Sequence, residues 1–309
     1  MAELVKNRSE ILFLYDVKDA NPNGDPVDEN KPRIDVETGV NIVSDVRLKR
    51  TIRDYLHEYK GMEIFIREIR KEDGNLKTKE ERLNDFGDDS IVDKCIDIRL
   101  FGSTTAVEDR TIALTGPVQF KYGRSIHKVD PTYIKGTTVM PSGAERKQGT
   151  FTERYILPYS LIVFYGIINE NAAKNQGIPL TDEDINFMLE GMWNGTKNLI
   201  SGSKFGQMPR LLLQVIYKEN QNYHIGELDK LISKISEKPD EAIRDITDLK
   251  IDITNLINTL SANKDKIEKI KFIIDERIKF VKNGNDTDIR TALEKLELPV
   301  ENIIFGKVN

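Results

Sequence analysis

The segment 197–210, KNLISGSKFGQMPR, combines small residues, basic side chains and one aromatic ring. Its candidate binding residues are Lys197, Ser201, Ser203, Lys204, Phe205, Gln207 and Arg210. Donors that reach phosphates and a ring that stacks on a base are the ingredients of a single-strand nucleic-acid site. The order GxxxxGK[ST] is absent, so a phosphate-binding Walker loop is not predicted. A glycine-rich helix end and connector is the alternative.

A second basic cluster lies on a helix predicted over 44–60. Arg47, Arg50 and Arg53 recur at intervals of three, with Lys49 beside them. On a helix this spacing places three guanidinium groups on one ridge, which could follow a phosphate backbone. A solvated helix face, partly neutralised by Asp54, is the alternative.

The loop after the first predicted strand is rich in carboxylates. It opens like a calcium-binding loop, but Asn30 stands at the twelfth position, where such loops carry a bidentate Glu. The carboxylates that could instead form a two-metal nuclease cluster are those of Asp16, Asp19, Asp25 and Asp28. No second pair of carboxylates at a recognisable spacing occurs elsewhere in the sequence. The residues of NPNGDP are those of an ordinary turn. The sequence favours a turn, with a nuclease as the alternative.

The residue types in the sequence offer little support for other kinds of catalysis. The chain has one cysteine, Cys95, and three scattered histidines, and no Ser/His/Asp or Cys/His arrangement is recognisable. A single cysteine is typical of a reducing compartment. No apolar run approaches the roughly 20 residues that a membrane-spanning helix needs. We expect a cytoplasmic protein without a cofactor, a resident metal ion or a membrane anchor.

Positive charge is unevenly distributed along this acidic chain of 309 residues and net charge −5. Residues 117–160 carry seven basic and three acidic residues, and residues 197–218 carry four basic and no acidic ones. Residues 61–98 carry seven basic and eleven acidic residues. Concentration of positive charge in the middle of the chain favours one nucleic-acid-binding face. Chance clustering is the alternative.

Hydrophobic patterns predict the elements that position these residues. Helices are predicted over 44–60 and 181–200, and strands over 10–16, 96–101, 111–121, 154–168 and 211–217. This order contains the βαββαβ alternation of a ferredoxin-like domain. From residue 225 the apolar spacing is interpreted as helical. We therefore expect a domain over 1–224 and a mainly helical appendage over 225–309.

Residues 123–150 contain four glycines and two prolines and are predicted to form a long excursion from the sheet. Further candidate binding residues in or next to it are Lys121, Arg124, Ser125, His127, Lys128, Met140, Arg146 and Lys147. Val139 and Met140 form an apolar pair between basic flanks, and wedging between bases would bury it. Return of the pair to the protein's own core is the alternative.

Four segments together resemble a known family: FLYDVKDANPNGDP, VSDVRLKRTIRDYL, ALTGPVQF and MWNGTKNLISGSKFGQMPRLLL. In this order they are similar to the backbone subunit of the type I-B CRISPR Cascade complex, over about residues 8–218. The resemblance implies an α+β fold with a modified RRM, or ferredoxin-like, palm. It also implies fingers inserted at about 61–95, a thumb-like β-hairpin at about 123–150, and C-terminal helices.

The resemblance further implies a non-catalytic subunit that polymerises along the spacer part of CRISPR RNA and presents it for pairing with target DNA in antiviral defence. Its partners would be the RNA, target DNA through the hybrid, copies of itself and other Cascade subunits. Lys18 and the candidates named above would bind RNA without reading its sequence, because spacers differ. Type III relatives place a target-cleaving Asp in the loop after the first strand. A metal-dependent ribonuclease that uses Asp residues of that loop, which extends to Asp35, is therefore the alternative.

Overall fold

A computed structural model describes residues 3–87, 90–107, 110–137 and 151–306, and the fold is α+β. The strands are β1 (Ser9–Ala20), β2 (Gly24–Asp25), β3 (Lys31–Pro32), β4 (Val40–Val43), β5 (Gly102–Val107), β6 (Arg110–Thr115), β7 (Val118–Phe120), β8 (Gly123–Lys128), β9 (Thr132–Thr137), β10 (Phe151–Ile168), β11 (Gln207–Tyr217), β12 (Ser233–Ile235), β13 (Lys250–Asp252), β14 (Ile267–Ile274), β15 (Phe280–Lys282), β16 (Asn285–Thr287) and β17 (Val300–Asn302). The helices are α1 (Asp45–Lys60), α2 (Lys79–Asn84), α3 (Ile91–Lys94), α4 (Ile96–Phe101), α5 (Glu170–Asn175), α6 (Asp182–Lys197), α7 (Thr254–Ala262) and α8 (Ile289–Glu294), with 3-10 turns at Leu228–Leu231, Asp240–Ala242 and Ile246–Asp248.

The main sheet is built around β1. Its strand order is β17-β14-β11-β1-β10-β8-β4, and β7 and β9 pair with the two ends of β10. β1 is antiparallel to both neighbours, so that Phe13 lies opposite Phe164 on one side and Leu212 on the other. The predicted strands over 10–16, 154–168 and 211–217 are therefore confirmed as three adjacent strands of one sheet.

Alternate residues of β1 enter two different cores. Ile11 and Phe13 pack with the helices α1 and α6 on one face, whereas Leu12 and Leu14 pack with the C-terminal region on the other. Successive side chains of a strand point to opposite faces. Because both faces of β1 are covered, the run EILFLYD is almost continuously apolar.

The helices α1 and α6 confirm the predicted helices over 44–60 and 181–200, although α6 ends at Lys197. Ser44 caps α1 by accepting a hydrogen bond from the main-chain N–H of Arg47. Thr181 and Asp184 form a reciprocal capping box at the start of α6. Within the described ranges, no helix is both long and apolar enough to cross a membrane.

Two predicted strands between residues 96 and 121 are wrong in part. Residues 96–101 form the helix α4, in which Ile96 and Leu100 share a buried face. The apolar residues of IDIRLF fit the alternation of a strand and the spacing of a helix equally well, so their pattern alone did not distinguish the two. The segment 111–121 is divided between β6 and β7 by Pro117, which cannot donate to a strand ladder.

The inserted segment between α1 and β5 has a small core of its own. Phe65, Leu83, Ile91, Cys95 and Ile98 pack against one another. A polar segment interrupted by glycines is typical of an insertion that makes few core contacts. Its apolar residues instead bury each other beside α1, which gives the predicted fingers a defined position.

The predicted excursion over 123–150 lies only partly outside the sheet. Residues 123–128 form β8 and pair with β4 and β10 in the main sheet, so this part of the predicted thumb is wrong. Thr132–Thr137 forms β9, which pairs with the start of β10 from Thr137 opposite Phe151. Val139, Met140, Arg146 and Lys147 lie outside the described residues, and the predicted wedge stays a prediction.

The C-terminal region is not mainly helical, contrary to the prediction. It combines α7 and α8 with six strands, and Ile267–Ile274 is strand β14, which pairs antiparallel with β11. Isoleucine-rich runs match helical spacing, but β-branched residues favour a strand when a sheet edge offers a partner. The region is also fixed to the sheet through fully buried Glu10, which accepts hydrogen bonds from the N–H groups of Ile225 (2.8 Å) and Gly226 (2.7 Å).

Candidate nucleic-acid interface

Three segments that are distant in sequence converge at the end of β1. The N–H of Lys18 donates to the carbonyl of Gly206 (3.0 Å), and the N–H of Asn21 donates to the carbonyl of Ser203 (2.9 Å). Asn23 Oδ1 accepts from the N–H and the hydroxyl of Ser44, the residue that caps α1 (2.8 and 2.9 Å). The Gly/Ser-rich loop before β11 and the N-cap of α1 are thereby both hydrogen-bonded to the end of β1 and the turn that follows it.

Gly206 makes this close approach possible. Its φ is +106°, and a Cβ at this position would lie 2.4 Å from the carbonyl oxygen of Lys18. Residues with a side chain rarely adopt such a conformation, and the contact leaves no room for one. The glycine in the sequence KFGQ therefore serves the placement of Lys204 and Phe205 against β1.

Lys204 is a partly buried cation with a neutral partner. Its Nζ donates a hydrogen bond to the main-chain carbonyl of Asn21 (2.6 Å), and it forms no ion pair within the described part of the chain. Burial, with a smaller contribution from the charge of Arg47, lowers the pKa of Lys204 to about 8. The protonated form is therefore unusually costly in the free protein.

Arg47 is the second cation at this position. One of its Nη atoms donates to the hydroxyl of Thr51 (3.1 Å), whereas its buried Nε has no hydrogen-bond partner. Burial lowers the pKa of this guanidinium as well. We call Asn21, Arg47 and Lys204 the junction site. Two neighbouring, partly buried cations that form no ion pair within the described residues are stabilised by an anion, and phosphate suits both.

A basic cleft extends from the junction site along α1 to the inserted segment. Its volume is about 610 Å³, and we call it the finger cleft. The basic residues that line it are Arg47, Arg50, Arg53, Arg67, Lys77, Lys79 and Arg82. Of the described residues that line it, Glu68 alone is acidic. Hydroxyl and amide groups of Asn23, Ser44, Thr78 and Ser103 line the remainder, so the cleft is rich in donors for phosphate oxygens.

The basic side chains of the finger cleft differ in whether they form ion pairs. Arg53 is buried against Asp97 (3.0 Å), whereas Arg50 is half exposed and pairs with Asp54 on its own helix (2.8 Å). Exposed Lys79, like Arg47, has no carboxylate partner within the described ranges. Surface pairs such as Arg50 with Asp54 contribute little and exchange readily. Arg47, Arg50 and Lys79 are thus the side chains of the cleft that an incoming anion can recruit.

The predicted basic ridge on α1 is only partly present, because its side chains make different contacts. Arg53 turns towards the core of the inserted segment, where Asp97 also accepts from the N–H groups of Phe65 (2.8 Å) and Ile66 (3.1 Å). Lys49 pairs with Asp45 (3.0 Å) and lies over the ring of Phe101. Only Arg47 and Arg50 of the four basic residues predicted on this helix line the cleft without being tied to the core.

Several other predicted binding residues are buried in contacts that hold the fold. Arg210 pairs with Asp16 and Asp275, and Gln207 donates to the carbonyl of Lys204 (3.1 Å). Ser125 accepts a hydrogen bond from the N–H of Asn41 (2.8 Å), and His127 accepts one from the N–H of Leu161 (3.2 Å). Burial lowers the pKa of His127, so its ring is neutral at pH 7. We leave these four, with Arg53, out of the candidate interface.

Four other predicted residues are exposed outside the finger cleft, and three of them form ion pairs. Lys18 pairs with Asp245 (2.9 Å), Lys121 with Glu227 (2.6 Å) and Arg124 with Asp35 (3.1 Å). Lys128 is exposed, while its main-chain N–H donates to Asp240 (2.9 Å). None of these residues lines the finger cleft.

The loop from the end of α6 to β11 presents apolar side chains to solvent. Phe205 is 67% exposed and Ile200 is 70% exposed. Lys197 and Ser201 are also exposed, whereas Ser203 is partly buried. An exposed ring beside Lys204 is the arrangement that the sequence predicted for base stacking next to a phosphate.

The carboxylates of the loop after β1 are engaged separately. Asp16 pairs with Arg210, Asp25 with Arg33 (3.2 Å) and Asp28 with Lys31 (2.8 Å). Among the described residues, no three His, Cys, Asp or Glu side chains lie close enough together to hold a metal ion. The arrangement of these carboxylates therefore adds no support for the two-metal nuclease hypothesis.

Sequence reasoning missed Arg67, Lys77 and Lys79, which the fold brings opposite α1. The acidic surplus of residues 61–98 hid them, because a segment total does not show which side chains share a face. The run LKTKEE offers a local clue, since Thr78 caps α2 and leaves a lysine on each side of the cap.

Comparisons with known proteins agree on one family. The model of the family described as CRISPR-associated protein Cas7 matches residues 7–254. A curated relative from Haloferax volcanii, also described as CRISPR-associated protein Cas7, is 33% identical, and the alignment covers 88% of each chain.

Two solved chains that share this fold come from CRISPR complexes. A chain of a CRISPR RNA-guided surveillance complex has a TM-score of 0.53 and 15% identity, with 93% of this chain and 92% of that chain covered. A chain of a pre-nicking CRISPR RNA-guided surveillance complex has a TM-score of 0.55 and 11% identity, with 94% and 99% covered. At these identities the likeness concerns the fold, whereas the family model and the 33% identical relative show more: this chain belongs to the Cas7 family of CRISPR-associated proteins.

Proposed function

We propose that this protein is the CRISPR RNA-binding backbone subunit of a type I-B Cascade surveillance complex. Copies of it would line the spacer part of the RNA and present the bases for pairing with target DNA, in the cytoplasm and together with other Cascade subunits. Membership of the Cas7 family supports the general role. The two solved chains come from complexes described as RNA-guided, which is the source of the RNA in this proposal.

The observation that carries the proposal is the pair of cations in the junction site. Lys204 and Arg47 are both partly buried, and within the described chain neither forms an ion pair. A protein that uses such cations only for its own stability would place a carboxylate between them, because unpaired buried charge is costly. An RNA phosphate supplies that missing negative charge.

The finger cleft adds groups that suit a phosphate backbone rather than a base. Arg50 and Lys79 line it together with Arg47, and Ser44 and Ser103 are among its neutral polar residues. Cationic and hydroxyl groups bind phosphates and ribose without regard to sequence. This is required of a subunit that accepts spacers of any sequence.

The strand order β11-β1-β10-β8, with α1 and α6 on one face, supports a modified RRM palm. An ordinary RRM stacks bases on the open face of its sheet. Here Leu12, Leu14 and Leu213 of that face are packed against Leu256 and Leu293 of the C-terminal region. We therefore place the RNA at the edge of the palm, in the finger cleft and on the loop that carries Phe205.

The proposed RNA contacts are those predicted residues that the fold leaves accessible at this edge: Arg47, Arg50, Lys197, Ser201, Ser203, Lys204 and Phe205. Lys79 joins them as a residue that the sequence did not predict. Met140, Arg146 and Lys147 remain proposed thumb contacts on the sequence prediction alone.

The proposed role is binding without cleavage of RNA or DNA. Asp16, Asp25 and Asp28 each already pair with a different basic side chain, and a metal-assisted cut requires carboxylates that share one site. Labelled RNA and DNA incubated with the protein and Mg²⁺ or Mn²⁺ should stay intact. Cleavage that Asp25→Ala abolishes in a folded protein would instead establish the ribonuclease alternative.

The RNA-binding proposal is tested by an equilibrium binding series with unrelated single-stranded RNAs of equal length. Arg47→Gln and Lys204→Gln should each weaken binding to all of them equally, and should reduce the slope of log K against log salt by about 0.7 per lost phosphate contact. Lys174→Gln, an exposed lysine on α5 outside the cleft, is the matched control. Unchanged affinity and slope in both cleft variants would refute the proposed site.

Assembly and subtype need a separate experiment. Co-expression with a CRISPR RNA and the other subunits of a type I-B complex should yield a particle that contains several copies of this chain and RNA of defined length. A particle that forms without RNA would favour a protein scaffold instead.

A further inference from the structure

The finger cleft has the size of a site for a small molecule, and its lining is not basic throughout. Its volume of about 610 Å³ lies within the range of pockets that hold cofactor-sized ligands. Part of the wall is apolar: Val46 of α1 is 64% exposed, Ile66 of the inserted segment is 45% exposed, and Phe65 lines the cleft with them. A phosphate backbone offers nothing to this apolar part.

The cations that stay available in the cleft are those of Arg47, Arg50 and Lys79. Arg47 and Arg50 lie three positions apart on α1, so their side chains are neighbours on the helix surface. Lys79 is the first residue of α2. The other basic side chains that line the cleft pair with carboxylates. The confined space therefore favours a ligand that concentrates several negative charges over a short distance.

The beginning of α1 adds to this preference. Ser44, Val46 and Arg47 all line the cleft, and they belong to the N-cap and the first turn of a helix of 16 residues. The N-terminal end of a helix carries partial positive charge and main-chain N–H groups that favour phosphate. The polar and the apolar side chains of this turn thus line the same cleft.

A free nucleoside triphosphate matches this combination of groups. It carries three phosphates in direct succession, whereas RNA carries one phosphate per nucleotide, so it presents more negative charge to a small cationic cleft. Its base is flat and largely apolar on both faces, which suits aliphatic side chains. Its ribose hydroxyls suit the polar groups of Ser44 and exposed Thr104, which also line the cleft.

We propose that the finger cleft is a binding site for a free nucleoside triphosphate and that this nucleotide competes with RNA. The triphosphate contacts Arg47, Arg50 and Lys79, and the base packs against Val46 and Ile66. No bond is formed or broken, so the nucleotide leaves unchanged. The competition rests on the proposed RNA-binding function, whereas the binding of the nucleotide does not.

Calorimetric titration of the full chain, freed of nucleic acid, tests the binding. ATP is added without Mg²⁺, so that its phosphates keep their full charge, in about 0.15 M salt, which screens weak surface attraction. One ATP should bind per chain, about 100-fold more tightly than AMP, because two charged phosphate contacts are lost in AMP. Absence of saturable binding, or equal affinity for ATP and AMP, would overturn the proposal.

Inorganic triphosphate tests whether the nucleoside part is bound. It has the three phosphates without the base, and it should bind about tenfold more weakly than ATP. Val46→Ser should remove most of this difference by weakening ATP and leaving inorganic triphosphate unchanged. Equal affinity for ATP and inorganic triphosphate in the unaltered protein would overturn the assignment of a nucleotide.

Two variants test the cations. Arg50→Gln and Lys79→Gln should each weaken ATP by about tenfold, and both side chains are exposed, so the melting temperature should stay the same. Lys174→Gln, on α5 outside the cleft, is the matched control and should bind ATP normally. If the control lost as much affinity as the two cleft variants, the attraction would be a general effect of charge and the site would be refuted.

Displacement of labelled single-stranded RNA tests the competition. ATP should release the RNA in proportion to occupancy of the nucleotide site, whereas sodium chloride at the same ionic strength should release less. RNA that stays bound when ATP saturates its site would overturn the competition. If the RNA-binding proposal itself were wrong, no RNA would bind at the start, yet the calorimetric binding of ATP and its loss in Lys79→Gln would persist.

Discussion

The guanidinium of Arg210 donates from Nε to Asp16 at 2.8 Å and from Nη1 to Asp275 at 2.9 Å, and so joins β1 and β11 to the turn after β14. Tyr159 on β10 completes the network with a hydrogen bond to Asp16 (3.0 Å). A residue that the sequence offered as a phosphate ligand is therefore a buried tie between the palm and the C-terminal region.

Arg210→Ala should lower the free energy of unfolding by about 3–5 kcal/mol, because it leaves the buried carboxylate of Asp16 without its cation. Arg277→Ala is the matched control. Arg277 pairs with the same Asp275 but its side chain is 53% exposed, so a change within about 1 kcal/mol is expected. Chemical denaturation measures both. If Arg210→Ala left stability normal and reduced RNA affinity, Arg210 would be an RNA-binding residue instead.

Lys204→Met should stabilise the free protein while weakening its binding to RNA. The methionine fills the same space without an unpaired charge, and a gain of about 1 kcal/mol is expected. The folded-state pKa lies below that of the unfolded chain, so the cost of Lys204 is largest below pH 8 and fades towards pH 10. The gain should follow the same course in denaturation curves at several pH values. A loss of stability at pH 7 would show that the ammonium group has an anionic partner in addition to the Asn21 carbonyl.

RNA affinity should fall as the pH rises through about 8, because the free protein loses the proton of Lys204 there and RNA prefers the charged form. Between pH 7 and pH 9 the loss should reach up to about tenfold for one proton. Lys204→Arg keeps its charge throughout this range and should remove the pH dependence. Equal pH dependence in the two proteins would assign the effect to another group.

Phe205→Ala should weaken RNA binding by about 1–3 kcal/mol if its ring stacks on a base. The ring is 67% exposed, so the melting temperature should barely change. Ile200→Ala, an equally exposed apolar residue of the same loop, controls for a general loss of apolar surface. Equal losses in the two variants would mean that the ring has no specific role.

Replacement of residues 138–150 by a Gly-Ser linker should leave the fold intact, because β9 and the start of β10 keep their pairing. The prediction is that the variant still binds short RNA but no longer forms ordered multi-subunit particles on longer RNA, as expected if Met140 wedges into the strand. Size-exclusion chromatography and electron microscopy distinguish the two states. A lower melting temperature would instead favour a core role for this segment.

Elements whose local pattern favours one kind of secondary structure could be predicted from the sequence. The apolar runs of β1, β10 and β11 are rich in aromatic or aliphatic residues and favoured buried strands, and Ser44 and Thr181 mark the starts of α1 and α6 through their side-chain caps. The segment KNLISGSKFGQMPR also identified Lys204 and Phe205 as a candidate pair for binding a phosphate and a base. These properties are local, so they can be read from neighbouring residues.

Which basic side chains remain available to a ligand depends on contacts between distant parts of the chain. Arg47, Arg50 and Arg53 look alike in sequence, yet Asp97, which is 44 positions away from Arg53, neutralises that residue alone. Likewise Lys204 and Arg210 are six positions apart, and only Arg210 meets a carboxylate, that of Asp16 from β1. Ile267–Ile274 became a strand because β11 offered it an edge. Each outcome depends on a partner from a distant part of the chain, and the free energy of a charge or a strand is set by that partner.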